Sequence, residues 1–404
     1  MKTQPTQLSE RIVSLDVLRG FAILGILIMN IQSFSMIGAA YLNPTAYGDL
    51  TGLNKWVWML SHVFADMKFM TIFSMLFGAG VVLFTERLKG KGINSLAIHY
   101  RRTFWLLVLG LAHAYLLWYG DILVGYAVSA LWVVLLRKLK PRTLLIIGLG
   151  VFSVGFILYL LTGISIPFMP EESKVGMLQG WLPEAELINR EITAYQGSWV
   201  QQMDQRIKGA IMMQTMVFFI QTGWRAGGLM LIGMALYKWG ILSAQKSKSF
   251  YLKLVAFCLF PGLAIVVYGM KTNFDAGFSL EYSFFLGSQF NYWGSLLVSL
   301  GYIGLVMLCV KMNTLRFVKH SLQAVGQMAL TNYLLQTIIC TIIFYGHGFG
   351  LYGKVERKEQ ILIVFAVWIF QLIVSPIWMK YFRFGPFEWL WRSLTYWRFQ
   401  AMKR

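Results

Sequence analysis

The sequence predicts an all-α fold, a polytopic membrane helix bundle of about ten transmembrane helices, and three observations support this class. Of the 404 residues, 57% are hydrophobic and only 13% are charged, about half the charged fraction of an average soluble protein. The mean hydropathy is +0.60. Apolar runs long enough to cross about 30 Å of hydrocarbon recur from one end of the chain to the other.

Ten spans give the simplest topology. They are predicted at residues 18–37, 56–85, 104–118, 122–136, 144–161, 210–242, 252–271, 289–310, 328–347 and 361–380. Two of them, 56–85 and 210–242, would be about 45 Å long at 1.5 Å per residue. We therefore expect these two unusually long spans to tilt, to break or to run partly along the interface.

The chain is predicted to form one integrated membrane unit with three parts. Residues 1–165 form an N-terminal five-helix bundle with the signature first helix, residues 166–208 an extracytoplasmic loop, and residues 209–404 a C-terminal helix bundle. The loop contains Pro167, Pro170 and Pro183, which argue against one long helix. Two interpretations of the loop stay open, a lid over an outward-facing site and a solvated connection.

The net charge of +19 is carried by short loops between apolar runs, where Lys and Arg set orientation. This pattern predicts a multi-pass protein with both termini in the cytoplasm and the lipid bilayer as its partner. No basic stripe alternates with exposed aromatic residues, so we expect no nucleic-acid partner. Cys258, Cys309 and Cys340 lie in separate apolar segments, and their spacing predicts no metal site.

The first helix carries three polar residues that are costly in a membrane. Asp16 and Arg19 are three residues apart on one face, which fits either an ion pair at the helix start or an anion site. Asn30 lies about 16 Å further along the helix. It is a candidate either for an interhelical hydrogen bond or for catalysis.

The second span carries His62, Asp66 and Lys68. His62 and Asp66 are four residues apart and share a helix face, a spacing that lets a carboxylate orient an imidazole. Lys68 has two interpretations, a structural counter-ion for Asp66 or a contact to substrate.

His113 is predicted to lie well inside the membrane, about 16 Å from Arg102. A mid-membrane histidine is a functional candidate by default. Asp121 follows Gly120 and opens the next helix, where a carboxylate either caps the helix or takes part in chemistry. Arg225, inside a long span, needs an anion from Asp66, Asp121 or a substrate.

The chain has no phosphate-binding P-loop, no dinucleotide glycine fingerprint and no HExxH or GxSxG motif. The residues alone therefore predict a polar cavity in the outer half of a polytopic protein and a basic inner opening. A transporter and an enzyme that moves a group across the membrane both fit this description.

The opening run 11–30 resembles the YeiB-type family of bacterial inner-membrane proteins, a family of unknown function. Further stretches that resemble this family, in order along nearly the whole chain, are 68–80, 113–123, 326–336 and 385–392. The resemblance implies localisation in the bacterial cytoplasmic (inner) membrane.

The first-helix run also resembles the transmembrane acyltransferase superfamily, which includes the lysosomal heparan glucosaminide acetyltransferases. These proteins take an acyl group from coenzyme A at the cytoplasm and deliver it to an acceptor on the far side. The resemblance implies roles for Asp16, Arg19, Gly20 and Asn30, and Asp66 resembles an aspartate of the acetyltransferases. Their histidine stands about ten residues before that aspartate, where this chain has Trp56, so it does not carry over.

We therefore expect a membrane-embedded acyltransferase that uses acyl-coenzyme A as donor and a small-molecule acceptor, without a metal. His113 or His62 would act as base, Asp66 or Asp121 would orient it, and Asn30 would stabilise the oxyanion. The candidate coenzyme-binding residues are Arg19, Asp16, Arg101 and Arg102, and the candidate substrate-binding residues are Arg225, Lys68 and Trp118.

The alternative function is a transporter of a small anionic or lipid-like substrate, in which the same residues form an intramembrane proton relay. Coenzyme A binding together with a dependence on histidine would favour the enzyme, whereas flux that responds to a gradient would favour the transporter. The sequence is compatible with a homo-oligomer.

Overall fold

The computed structural model describes residues 11–312 and 315–404, so the first ten residues of the predicted N-terminal bundle lie outside it. The predicted all-α class is confirmed. Helices form the described chain apart from its connections and one isolated bridge between Phe382 and Lys403.

The described part of the first half of the chain contains nine α-helices. They are α1 (Val13–Ser35), α2 (Gly38–Leu42), α3 (Gly52–Phe64), α4 (Lys68–Gly90), α5 (Ser95–Ala112), α6 (Leu123–Val133), α7 (Pro141–Ser165), α8 (Glu171–Trp181) and α9 (Ala185–Gln196).

Nine more α-helices follow in the described part of the second half. They are α10 (Met203–Met212), α11 (Gly223–Lys238), α12 (Lys248–Leu254), α13 (Phe260–Asp275), α14 (Ser288–Met312), α15 (Arg316–Gln327), α16 (Ala329–Phe344), α17 (Arg357–Tyr381) and α18 (Pro386–Tyr396).

Short segments of other helical type extend several of these helices. Wider π-helical turns cover His113–Leu117, Met213–Thr222, Val255–Leu259 and Leu280–Gly287, and 3₁₀ turns cover Val134–Leu136 and Ile166–Phe168. A π-helical turn interrupts the regular hydrogen-bond ladder and is frequent at functional sites.

Six helical stretches in the described chain are long and apolar enough to cross a membrane, and a seventh is counted if the pair α15–α16, bent by 85°, is one span. The predicted count of ten is not confirmed. The predicted span 122–136 coincides with a shorter apolar helix, Leu123–Leu136. The predicted spans 104–118 and 210–242 fall in helices that are not among the membrane-capable stretches. Arg101 and Arg102 lie in the first of those two helices, and Gln214, Gln221 and Arg225 lie in the second.

The predicted long span 56–85 is interrupted. A stretch of 39 residues, Gly52–Gly90, is apolar enough to span, but α3 ends at Phe64 and α4 begins at Lys68. Between them Met67 adopts a left-handed backbone with φ of 64°. The other long span runs as α10, a π-helical segment and α11 without a break. Here the departure from regular α-helix is a change of winding.

Helix α1 lies in the centre of the bundle, with most of its residues buried. It crosses α15 so closely that a Cβ atom on Gly20 would lie 2.0 Å from the carbonyl oxygen of Leu322, and one on Gly326 would lie 1.8 Å from that of Asp16. Any larger residue would force the two helices apart. The N-terminal signature therefore packs directly against the C-terminal half.

Residues 166–208, the cap segment, fold into α8, α9 and the start of α10. Arg206 is fully buried and donates hydrogen bonds to the Leu116 carbonyl (2.9 Å) and to Gln202 (3.0 Å). Glu191 accepts hydrogen bonds from the Gly38 amide (2.9 Å) and the Tyr352 hydroxyl (2.8 Å). The segment is thus docked onto the bundle beside the His113–Leu117 turn.

Candidate functional site

A cavity of about 250 Å³ opens at the end of the bundle where α1, α4, α5, α15 and α18 meet. Five arginines line it, and we call it the arginine cavity: Arg11, Arg19, Arg87, Arg102 and Arg392. Among the described residues, two carboxylates share the lining, Asp16 and Glu388. The excess of guanidinium groups makes the cavity attractive to anions.

Both carboxylates of the arginine cavity are already engaged. Asp16 pairs with Arg19 at 2.8 Å and with Arg11 at 3.8 Å. Glu388 accepts hydrogen bonds from the amides of Leu330 (2.6 Å) and Thr331 (3.1 Å), and so caps the start of α16. Neither carboxylate offsets the charge at the Arg102 and Arg392 side of the cavity by direct pairing.

Aromatic rings hold two of the cavity arginines. The guanidinium of Arg102 lies 4.7 Å from the Phe84 ring centroid and 4.4 Å from that of Trp391, and Arg392 lies 4.7 Å from that of Phe384. A ring attracts a cation through its quadrupole without cancelling its charge. These guanidinium groups are therefore held in position and keep their charge.

Burial shifts the pKa values of two cavity residues outside the membrane spans, Arg11 and Glu388, towards the neutral form of each group. It lowers the pKa of Arg11, which precedes α1, to about 10, so this residue stays protonated at neutral pH. Burial also raises the pKa of Glu388 in α18 above its usual range, although the hydrogen bonds from Thr331 oppose this.

Beyond the far wall of the cavity lies a buried pair formed by His113 and Asp121. His113 Nδ1 is 2.7 Å from Asp121 Oδ2, and His113 Nε2 is 2.9 Å from Thr337 Oγ1. The side chains of His113 and Asp121 are each 1% exposed. Asp121 Oδ1 also accepts a hydrogen bond from the Val124 amide (2.8 Å) at the start of α6. Asp121 is therefore both a helix cap and the partner of the imidazole.

Tyr333 separates the arginine cavity from His113. It lines the cavity, and its ring centroid lies 5.1 Å from that of His113. The Tyr333 hydroxyl accepts a hydrogen bond from the Ile122 amide (3.4 Å), next to Asp121. The imidazole thus lies one side chain behind the cavity wall.

The predicted His62–Asp66 pair also forms, at a separate place in the α3–α4 break. His62 Nδ1 lies 3.1 Å from Asp66 Oδ2, and Asn291 donates to the same oxygen at 2.7 Å. Lys68, fully buried, donates to Asn291 Oδ1 (2.6 Å) and to the His62 carbonyl (2.7 Å). Lys68 is linked to Asp66 through Asn291. We call these four residues the Lys68 cluster.

Arg225 lies near the Lys68 cluster without a carboxylate in ion-pair contact among the described residues. Its guanidinium donates to Thr71 (2.7 Å), to Ser295 (2.8 Å) and to the Tyr292 carbonyl (3.3 Å). It also lies over the Tyr292 ring, 4.7 Å from the centroid. The structure brings neither Asp66 nor Asp121, the two carboxylates that the sequence offered as partners, into direct contact with Arg225.

Three further candidates take distinct positions. Asn30 lies four residues before Phe34 on one face of α1, and the Phe34 ring stacks on Trp118 with centroids 4.1 Å apart. Trp118 Nε1 is buried without a hydrogen-bond partner in the described chain. Arg101 does not line the arginine cavity, because its guanidinium lies over the Trp397 ring, 4.7 Å from the centroid.

Sequence reasoning missed several residues of these sites. Arg11, Arg392 and Glu388 join the arginine cavity through contacts between the two ends of the chain. Asn291 and Thr337 carry no sequence signal beyond being polar residues in apolar helices. Thr337 follows directly on the stretch 326–336 that resembles the family, which was the available hint.

Comparisons with known proteins agree on family and give no activity. A family described as "Protein of unknown function (DUF418)" matches residues 236–398. The chain is 34% identical over 389 residues to "Uncharacterized protein YeiB" of Escherichia coli (strain K12), covering 96% of each chain. It is 34% identical over 424 residues to "Uncharacterized protein YxaH" of Bacillus subtilis (strain 168), covering 99% of this chain and 98% of the relative.

Proposed function

The chain belongs to the YeiB-type family of bacterial membrane proteins, and we propose that it is a membrane-embedded acyltransferase. It would move an acyl group from cytoplasmic acyl-coenzyme A to an acceptor on the outer side. The observation that carries this proposal is the position of the buried His113–Asp121 pair directly behind the wall of the arginine cavity.

The arginine cavity suits the donor. Acyl-coenzyme A carries its phosphates at one end and its thioester at the other, joined by the pantetheine arm. Guanidinium groups bind phosphates through charge-assisted, often bidentate, hydrogen bonds. Arg19, Arg102 and Arg392 would hold the phosphates, and the arm would extend towards Tyr333. This orientation brings the thioester to the side of the cavity where His113 lies.

The His113–Asp121 pair suits the transfer. Asp121 would hold His113 with Nδ1 protonated, which makes Nε2, the nitrogen that faces Thr337, the proton acceptor. In acyl transfer His113 would take the proton of an acceptor hydroxyl or amine, and the acceptor atom would form a bond to the acyl carbon. A general base of this kind contributes about 10²–10⁴-fold in rate. Asn30 is proposed as a donor to the developing oxyanion, and Trp118, Lys68 and Arg225 as contacts to the acceptor.

The proposed orientation follows from charge. The end of the bundle that carries Arg11, Arg19 and Arg392 would face the cytoplasm, in line with the positive-inside rule. Both termini would then be cytoplasmic, and the membrane would be the inner membrane. The cap segment would lie on the outer side, over the acceptor's route to His113. We leave a homo-oligomer open as the assembly.

A transporter is the second proposal, and the Lys68 cluster is the observation that favours it. Lys68, Asn291, Asp66 and His62 form a hydrogen-bonded chain inside the bundle, and ionisable residues in such chains serve proton relays in transporters. Arg225, held by neutral oxygens, would bind a small anionic or lipid-like substrate.

The experiment is binding of acetyl-coenzyme A to the purified full chain, by calorimetry and thermal shift. We expect saturable micromolar binding, weaker binding of dephospho-coenzyme A and the weakest binding of acetyl-pantetheine, which has no phosphate. Equal affinity for all three would exclude phosphate recognition by the arginine cavity. No binding at any acyl length would reject the acyltransferase and favour flux assays with small anions in proteoliposomes.

A further inference from the structure

We propose that Thr337 is the nucleophile that carries the acyl group between donor and acceptor, so that transfer proceeds through an acyl-enzyme ester. This inference rests on the proposed acyltransferase function. Its basis is a continuous line of hydrogen bonds from Asp121 through His113 to the Thr337 hydroxyl, at 2.7 and 2.9 Å. A nucleophile, a base within hydrogen-bond reach and a third group that orients the base are the signature of covalent catalysis.

The direction of these hydrogen bonds follows from the chemistry of the groups. An ionised carboxylate only accepts hydrogen bonds, so His113 Nδ1 carries a proton and donates the hydrogen bond that Asp121 accepts. In the neutral imidazole Nε2 is then an acceptor, and the Thr337 hydroxyl is its donor. The hydroxyl proton thus already points at the base that would remove it.

The backbone contact of Thr337 distinguishes it from ordinary threonines in helices. A buried threonine commonly donates to the carbonyl four residues earlier, as Thr71 does to Met67 (2.8 Å) and Thr85 does to Val81 (2.8 Å). The same contact from Thr337 to the Tyr333 carbonyl is 3.5 Å long. The hydroxyl of Thr337 therefore makes its short contact with His113 and only a long one with its own helix.

Thr337 also lies at the next position along the face that lines the arginine cavity. Ala329 and Tyr333 line the cavity, and Thr337 follows at the same spacing of four residues, about 6 Å further along α16. A thioester that passes the Tyr333 ring would meet this hydroxyl first.

The step balances without any other reactant. Thr337 Oγ forms a bond to the thioester carbon while its proton moves to His113 Nε2. The carbon–sulfur bond then breaks, the thiolate takes the proton from His113, and coenzyme A leaves as a thiol. In the second half, His113 removes the acceptor's proton and the acceptor atom forms a bond to the ester carbon. The bond from that carbon to Thr337 Oγ then breaks, and Oγ takes the proton back from His113.

The test is a single-turnover reaction of the full chain with acetyl-coenzyme A and no acceptor. We expect a burst of about one thiol per protein and one acetyl group on the peptide that contains Thr337, found by mass spectrometry. Thr337→Val should abolish the burst and the label but keep acetyl-coenzyme A binding, and Thr337→Ser should keep all three. His113→Ala should slow the burst by about 10²–10⁴-fold.

Two control variants address other origins of the label. Thr341→Val removes a buried hydroxyl one turn further on, which bonds to the Ile338 carbonyl (3.1 Å), and should leave the burst unchanged. Cys340→Ala removes the nearby thiol, and the label should persist and resist neutral hydroxylamine, which cleaves thioesters. A label that disappears with Cys340, or acceptor turnover that survives in Thr337→Val, would overturn the acyl-enzyme while the acyltransferase stands. Absence of acetyl-coenzyme A binding in the wild-type chain would reject both.

Discussion

The chain contains two histidine–aspartate pairs whose surroundings differ. His113 and Asp121 are each 1% exposed, and the second ring nitrogen of His113 meets the Thr337 hydroxyl. His62 and Asp66 are 13% and 15% exposed, and the His62 ring stacks on Trp58 with centroids 5.1 Å apart. The imidazole of the first pair faces a hydroxyl group on α16, whereas the second pair is part of a network that ties α3 to α14.

The difference lies in what the carboxylate does. Asp121 has two partners, the imidazole and the Val124 amide that starts α6, so its position is fixed and its main effect is to orient His113. Asp66 shares one oxygen between His62 and Asn291, and Asn291 in turn holds the buried Lys68. Similar residue pairs therefore have different surroundings: the imidazole of one faces a hydroxyl, and the carboxylate of the other is linked through Asn291 to a buried lysine.

The largest expected effect separates the two pairs by activity. His113→Ala should lower acyl transfer from acetyl-coenzyme A by about 10²–10⁴-fold, because it removes the proposed base. His62→Ala should change it by less than about tenfold. Both variants are measured by thiol release at saturating donor. Equal losses would break the comparison, and a large loss in His62→Ala alone would transfer the catalytic role to that pair.

The next effect concerns stability. Lys68→Met should lower the stability of the folded protein by about 3–5 kcal/mol, because it leaves the Asp66–Asn291 network without its buried cation. The measurement is the thermal unfolding midpoint in detergent. Lys271→Met is the matched control, since Lys271 pairs with Asp275 at 3.0 Å on the exposed surface, where a pair contributes about 0–1 kcal/mol. Similar midpoints for both variants would contradict a structural role for the cluster.

A smaller effect should appear in donor binding. Arg102→Ala should weaken acetyl-coenzyme A by roughly tenfold to a hundredfold, the loss of one charged hydrogen bond of about 1.5–3 kcal/mol. The neighbouring Arg101→Ala should bind as the wild type does, because Arg101 lies over Trp397 outside the cavity. Calorimetry measures the affinity of both variants for acetyl-coenzyme A. An equal loss of affinity in both would show a general effect of positive charge and no specific contact from Arg102.

The smallest expected effect is a pH dependence of the cap segment. Burial raises the pKa of Glu191 above its usual 4.5, although hydrogen bonds from Gly38 and Tyr352 oppose the shift. Because the folded state raises this pKa, its stabilising contribution is complete at low pH and is lost as the pH rises above 4.5 through the folded value. Glu191→Gln should remove that loss.

The measurement for Glu191 is the unfolding midpoint of the wild type and of Glu191→Gln at several pH values. As the pH rises, the midpoint of the wild type should fall relative to that of the variant. The corresponding loss in the free energy of unfolding is about 1.4 kcal/mol for each unit of pKa shift. Parallel curves would show that Glu191 stays ionised in its docked position. The hydrogen bonds from Gly38 and Tyr352 would then fully offset the effect of burial on the pKa of Glu191.

Local features of both sites could be predicted from the sequence. The spacing of four residues between His62 and Asp66 gave their contact, and the place of Asp121 after a glycine gave its capping of α6. The charges of the first helix gave the pair of Asp16 and Arg19. Each of these contacts spans four residues or fewer, so local backbone geometry decides it, even for Asp66, which lies just beyond the end of α3.

Other parts of the sites could not be predicted because they join distant segments. Arg101 and Arg102 are adjacent in the sequence, but only Arg102 reaches the cavity, since successive residues of a helix point about 100° apart. Thr337 meets His113 across 224 positions of the chain. Asn291 meets Asp66 across 225 positions.

The sequence by itself determined the class of the protein, its family and the residues that are too polar to be placed in a membrane without a purpose. Composition and apolar run length decide these, because hydrocarbon excludes charge whatever the fold. Only the tertiary structure decided that one imidazole faces a hydroxyl behind an arginine-lined cavity, while the other pairs with Asp66, which Asn291 links to a buried lysine. Which groups face each other depends on which helices cross. Helices α1 and α15 can cross closely because Gly20 and Gly326 have no side chain that would hold the two backbones apart.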